Sequence, residues 1–376
     1  MEINTHNLYP NYSQEIFNEY EDARELIIER NYRHYLNELS MKIFTRMAEL
    51  YYSDKYNDTN HMYVALESIL VFVCNRLSKL TGVRLKKFLK QNKSVTLQLL
   101  RESISLDNSQ YFSIDMSDDV VGRYPDYANV MAKILRPGQK KDYYRIKCTS
   151  EHFINFQCTN RVEIPKMSFK SYGNKTYKNI PFLLVVRPSV RFPLYYEDLL
   201  QIWIVMLKND EKLMIVEWPV RDDTEFHPME KIFELLLCNN LSDIIANSKL
   251  NDQVEGLVLP FLHNINSSFS NMQEIIENSI NFENLFDKCN NFDFENVSKL
   301  KIYQQNNIGY LKEGSKTETF IKNNPTKFII LNKPFLHLHF SSSNVCVSAG
   351  FFDCDKMICE ESYKNIEKER MKYQKF

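Results

Sequence analysis

The end of the chain constrains the fold most. Two runs, Lys327–Phe340 (KFIILNKPFLHLHF) and Asn344–Phe352 (NVCVSAGFF), are rich in β-branched and aromatic residues and are joined by a Ser-Ser-Ser-Asn turn, so they predict a β-hairpin. Upstream, Lys299–Leu311 (KLKIYQQNNIGYL) reads as another strand, and the polar stretch Leu311–Thr326 bridges it to the hairpin as an exposed loop. Strand, loop and hairpin in this order organise everything before them. His337 and His339 sit two apart on the hairpin and share one face, a spacing that metal sites use. No carboxylate or cysteine is placed to complete such a site, so a metal is not expected.

The first third of the chain is helical in pattern. Ser13–Arg30 places Ile16, Tyr20, Ala23 and Ile27 on one stripe and predicts a surface helix. Tyr35–Tyr51 repeats Leu36, Leu39, Ile43, Met47 and Leu50 at three and four and predicts a strong amphipathic helix. Met62–Leu80 reads as a more apolar helix closed by Gly82, and Arg84–Gln91 as a short one. Ser94–Thr159 is the least legible span, with a helix near Tyr127–Leu135 and a strand near Tyr143–Cys148. Strand patterns then dominate: Arg161–Lys170, Pro181–Pro188, Asp198–Leu207 and Lys212–Trp218, the last two flanking the turn Lys208–Glu211, followed by helices Met229–Leu237 and Leu241–Ser248.

Composition narrows function. With 376 residues, 44% hydrophobic and 25% charged, the chain can bury a large core. Only 8 Gly against 25 Phe and 22 Tyr leaves little material for glycine-rich phosphate loops. No Gly-x-Ser-x-Gly or Walker-type motif occurs, and Asp222, Asp223, Glu360 and Glu361 sit in loop or tail contexts, so neither an enzyme nor a cofactor is expected. A net charge of -1 gives no field for nucleic acid. The lysine-rich runs Arg84–Lys93 and Lys364–Lys375 read as solvated faces. The 8 cysteines show no ligand spacing and read as mostly free thiols. The acidic, polar start lacks a secretory leader and no window is apolar enough to span a bilayer, so an intracellular, cytoplasmic location is expected.

Several motifs resemble the serpin superfamily. Arg161–Lys170 carries Pro165 and Met167 where serpins write Val-x-Val-Pro-Met-Met, and Lys208–Glu211 stands at a family turn between two strands. Val258–Asp287 resembles the family's Leu-Pro strand and following helix, with Leu259, Pro260, His263 and Ile265 at strand positions, Phe269, Met272, Ile275 and Ile276 on a helix face, and Phe282, Leu285 and Phe286 closing it. Pro334-Phe335 resembles the His-Pro-Phe that opens the family's buried hairpin, and Ser68 falls where serpins keep small hydroxyl residues. The Asn-Ala-x-Tyr-Phe-x-Gly-x-Trp signature is missing, and the span 94–159 is shorter than serpins use.

The resemblance implies one α+β serpin-like domain over residues 35–352, with N-terminal helices packed on mixed and antiparallel sheets, a reduced main sheet and a buried C-terminal hairpin. Residues 1–34 would be a helical extension and 353–376 a charged tail. In serpins a reactive loop begins Glu-Glu-Gly-Thr and, once cleaved, inserts into the main sheet. Here Glu313, Gly314 and Ser315 match that start, and the inward alternates Ser315, Thr317, Thr319 and Ile321 are uncharged. From Gly314 to Pro334 the chain is several residues shorter than an inhibitory loop, so the resemblance implies a reactive-loop remnant and a non-inhibitory protein that binds a protein partner or serves in assembly. Inhibition of intracellular serine or cysteine proteases is the alternative. Residue usage rich in Asn, Lys, Ile and Tyr suggests an AT-rich genome, such as that of a large DNA virus.

Overall fold

The structure is a computed structural model that describes residues 33–48, 62–66, 69–70, 73, 86–87, 90, 112–116, 123–124, 141–156, 162–163, 166–170, 176–186, 188–192, 201–217, 241–262, 265–269, 272–280, 282, 297–310 and 328–352. Helix α1 covers residues 33–48 and buries Leu36, Leu39, Ile43 and Met47 of the stripe its periodicity predicts, together with Phe44, while Leu50 lies outside the described residues. The expected helices at 13–30, 127–135 and 229–237 and the tail from 353 lie outside the described residues, as do Pro165, Ser68, His263 and the 311–327 segment.

Sheet one has seven strands. In chain order they are β1 (Met62–Ala65), β8 (Val190–Phe192), β9 (Gln201–Met206), β10 (Lys212–Glu217), β11 (Lys249–Leu250), β16 (Phe335–Phe340) and β17 (Cys346–Phe352), laid side by side as β1-β17-β16-β10-β9-β8-β11. The C-terminal hairpin is therefore interior, flanked by β1 and β10. Every residue of β16 and β17 is buried. That accords with their mostly apolar sequences, as strands covered on both sides need, with His337, His339 and Ser348 as the buried polar exceptions. At Gly350 an added methyl would overlap the His337 ring, so the ring's place depends on glycine there.

Sheet two contains β5 (Val162–Glu163), β7 (Thr176–Val186), β12 (Gly256–Pro260) and β15 (Phe328–Ile330) in the order β15-β12-β7-β5, with β6 (Lys166–Lys170) also paired to β7. It shares a core with sheet one: Leu183, Val185, Leu257 and Leu259 pack with Val205, Leu213, Ile215 and Phe335. Phe352 stacks on Phe335 at 5.2 Å and meets Phe169 edge-on at 5.2 Å.

Sheet three is β13-β14-β4-β2-β3, from β13 (Ile265–Phe269), β14 (Val297–Tyr310), β4 (Lys141–Ile154), β2 (Phe112–Met116) and β3 (Arg123–Tyr124). Its two central strands are 14 residues each and run parallel from Val297 opposite Lys141 to Tyr310 opposite Ile154. Short helices α2 (Leu241–Ala246) and α3 (Met272–Ser279) are also described.

The α+β class holds, with four revisions. The sheet preceding the tether has five strands, and the short span 94–159 supplies three of them, so a reduced main sheet is not what forms. Met62–Ala65, expected to open a helix, is instead a strand, because its backbone pairs with Ser348–Phe351 and edge pairing outweighs local helix propensity. Phe269 ends strand β13 instead of lying on the helix that starts at Met272, and the run Lys327–Phe340 splits into β15 and β16 in different sheets.

Candidate functional site

The tether joins two sheets. Residues 311–327 are all that separate Tyr310, the end of β14 in sheet three, from Phe328, the start of β15 in sheet two. Both anchors are fixed. β14 is held along its length by β4 and β13, while β15 runs parallel to β12 with Phe328 opposite Gly256. Past β15, Leu331 N donates to Val258 O and Lys170 N donates to Asn332 O, so the chain is tied down again before Pro334.

Beneath the N-terminal anchor lies a belt of buried polar groups. Gln304 and Asn306 share the inner face of β14 with buried Ile308. Asn306 Nδ2 donates to Tyr63 O at 3.3 Å and to Ser267 Oγ at 3.2 Å, and Ser267 Oγ donates to Tyr63 O at 2.5 Å. Gln304 Nε2 donates to Ala65 O, and Ala65 N donates to Asn306 Oδ1 at 3.4 Å. The outer edge of β1 is thus satisfied by side chains of sheet three in place of another strand, which makes this belt the lock between the two sheets.

A second network fixes the hairpin turn. Asn37 Nδ2 donates to Ser242 Oγ at 2.8 Å and to Asn344 O at 3.0 Å, while its Oδ1 accepts from Cys346 N at 2.7 Å. Ser40 Oγ adds a bond to Cys346 O at 3.1 Å. One asparagine on α1 therefore joins α1, α2 and the turn before β17. His339 Nε2 and Glu211 Oε2, 3.0 Å apart, hold the β9–β10 turn to β16. Burial lowers the Lys212 ammonium, which donates to Asp210 O at 2.8 Å. Burial pushes the Cys346 thiol up, so it is inert. Glu217 ends β10 almost wholly buried, and burial raises its carboxyl to about 7 against the opposing pull of Lys333.

Of the residues singled out by motif, Met167 is half-buried on β6 opposite Ile180, and Leu259, Pro260, Pro334 and Phe335 are buried. Leu259 and Phe335 belong to the core shared by sheets one and two, with Met167 packed against it. Glu313, Gly314, Ser315, Thr317, Thr319 and Ile321 lie outside the described residues. His337 and His339 are both buried within the hairpin, and no group of three metal-ligating side chains occurs among the described residues. The polar belt went unread in the sequence, although Gln304 and Asn306 fall in the same every-second-residue series as Ile302 and Ile308 and could have been assigned to the inner face.

Three sheets with an interior C-terminal hairpin and a tether strung from one sheet to another define the class of architecture, and solved structures identify it. The chain has the serpin fold. It is similar to native protease nexin-1 with heparin at 13% identity and TM-score 0.53, covering 85% of this chain and 99% of that one. Arabidopsis AtSerpin1 in its native stressed conformation matches at 11% identity and TM-score 0.56 over 86% and 98% of the two chains. Serpin48 of the insect Tenebrio molitor matches at 12% and 0.55 over 85% and 97%. No family model matches the sequence, and no curated protein does. No described helix is long and apolar enough to cross a membrane.

Proposed function

We propose that this chain is a non-inhibitory serpin-like protein, not an enzyme, that works by binding a protein partner through its surface. The length of the tether carries the reading. To become a strand between β4 and β14, the segment after Tyr310 must reverse direction and run antiparallel to both. Full coverage of a 14-residue strand needs roughly 46 Å. Of the residues at 311–327, a reversing turn takes about four, and about thirteen remain, or roughly 43 Å. Even that length requires a cut at Lys327, beside the strand that anchors the tether. A cut near Thr319, at the middle, leaves about five residues and roughly 17 Å, under half of the slot.

One observation favours the second reading, an intracellular inhibitor of serine or cysteine proteases. The β4–β14 pair is full length and parallel, the less stable pairing per residue, and an antiparallel strand would fit between its members. The experiment that separates the readings mixes the full chain with serine and cysteine proteases and resolves the products on denaturing gels. The proposal predicts cleavage or no reaction. A covalent, SDS-stable complex at near-stoichiometric yield overturns it.

A further inference from the structure

Arg84–Lys93 (RLKKFLKQNK) carries five basic residues and no acid, in a chain whose 47 basic and 48 acidic residues balance. Three of the five, Lys86, Lys87 and Lys90, are described, and all three are exposed at helical positions. At 3.6 residues per turn they fall within an arc of about 100°. Leu85, Phe88 and Leu89 take the opposite side of the same wheel, so the pattern separates a cationic side from an apolar one.

Lys86 and Lys90 stand four apart, the spacing at which like charges on a helix destabilise it. Elsewhere the chain fills that spacing with opposite charges: on α1, Lys42 meets Glu38 at 2.6 Å. Among the described residues no carboxylate forms an ion pair with Lys86, Lys87 or Lys90, so solvent and salt alone relieve the repulsion. An anionic occupant would remove it.

We propose that the exposed face of Lys86, Lys87 and Lys90 docks an acidic segment of a partner protein. The inference rests on the protein-binding reading above and names the surface and the chemistry of what it binds. Along the helix axis Lys86 and Lys90 stand about 6 Å apart. That is close to the roughly 6.6 Å between alternate residues of an extended chain, so a segment with acids at every second position meets both. A nucleic acid is the poorer match. Its affinity comes from many phosphate contacts and a long-range field, and a chain of net charge -1 supplies no such field.

The test uses the full chain and a fluorescein-labelled dodecapeptide of Glu-Ser repeats, with a Gln-Ser repeat as control, followed by anisotropy in a salt series. Binding of the acidic peptide alone, weakening as salt rises, is expected. Lys86→Glu with Lys87→Glu and Lys90→Glu reduces affinity by about tenfold or more. Lys178→Glu with Lys249→Glu, at exposed strand positions elsewhere, leaves it unchanged. If the reversed variant fails to fold, Gln at the same three positions replaces Glu, with a smaller loss expected. No binding of the acidic peptide, undiminished affinity in the helix variants, equal loss in the Lys178 and Lys249 variant, or tighter binding of a DNA oligonucleotide of the same charge overturns the proposal. An SDS-stable protease complex would remove the non-inhibitory reading while leaving these affinities as they are, so the two failures are distinct.

Discussion

Replacing Glu217 by Gln should stabilise the protein, and only above acid pH. Glu217 is 8% exposed at the end of β10, in the middle of a seven-stranded sheet, and burial raises its carboxyl from 4.5 to about 7. A raised folded-state pKa means that the native protein holds this proton more tightly than the unfolded chain. Stability from the group is therefore complete below about 4.5 and is lost as pH rises through about 7. The gap between the two pKa values corresponds to about 3 kcal/mol at most, reached above neutrality. A glutamine side chain cannot ionise and has nearly the same shape, so Glu217→Gln avoids that cost. Thermal unfolding of both proteins, followed by circular dichroism at one scan rate, should show similar melting temperatures at pH 4.5 and an advantage of roughly 4 °C for the variant at pH 8. Other titrating groups cancel in the difference. Lys333 opposes the shift, so in a Lys333→Met variant that keeps Glu217 the loss should extend to higher pH. A difference independent of pH, or a wild type that is favoured at pH 8, would refute the reasoning.

Other substitutions probe the supports of the site. Asn37→Ala removes three hydrogen bonds and strands the Cys346 N–H in the interior, so urea unfolding should report a loss of about 3 kcal/mol. Gly350→Ala drives a methyl into the His337 ring on a strand held by β1 and β16, and the same assay should show a loss of about 1–3 kcal/mol. Phe352→Ala empties the stack with Phe335 and Phe169, with an expected cost of about 3–5 kcal/mol by urea unfolding.

What the sequence disclosed depended on the range of the interactions involved. The hairpin of β16 and β17 and the β9–β10 pair were legible because each is local, with its turn between its strands. Helix α1 was legible because its apolar stripe is the face it buries. β1 was misread because Met62–Ala65 continues into a helical pattern, and the edge that claims it lies at Ser348–Phe351, far along the chain. Only Tyr143–Cys148 of β4 showed as a strand, since Thr149, Ser150, Glu151 and His152 break the apolar alternation while their backbone pairs with β14. The inference of a reduced sheet came from counting residues in 94–159, and strands need fewer residues than that count assumed. Pro260 and Phe335, singled out by motif, are buried in β12 and β16. The polar belt of Gln304, Asn306 and Ser267 stayed hidden because its partners are backbone carbonyls of a strand not recognised as one.

The central claim is geometric: the tether is too short to become a full strand of the sheet it leaves. It is tested most directly by nicking the chain once within 311–327 with a low dose of protease and comparing the melting temperatures of nicked and intact protein. The account predicts a nicked protein that melts within a few degrees of the intact one. A rise of more than about 10 °C on nicking, the signature of a new central strand, would contradict it.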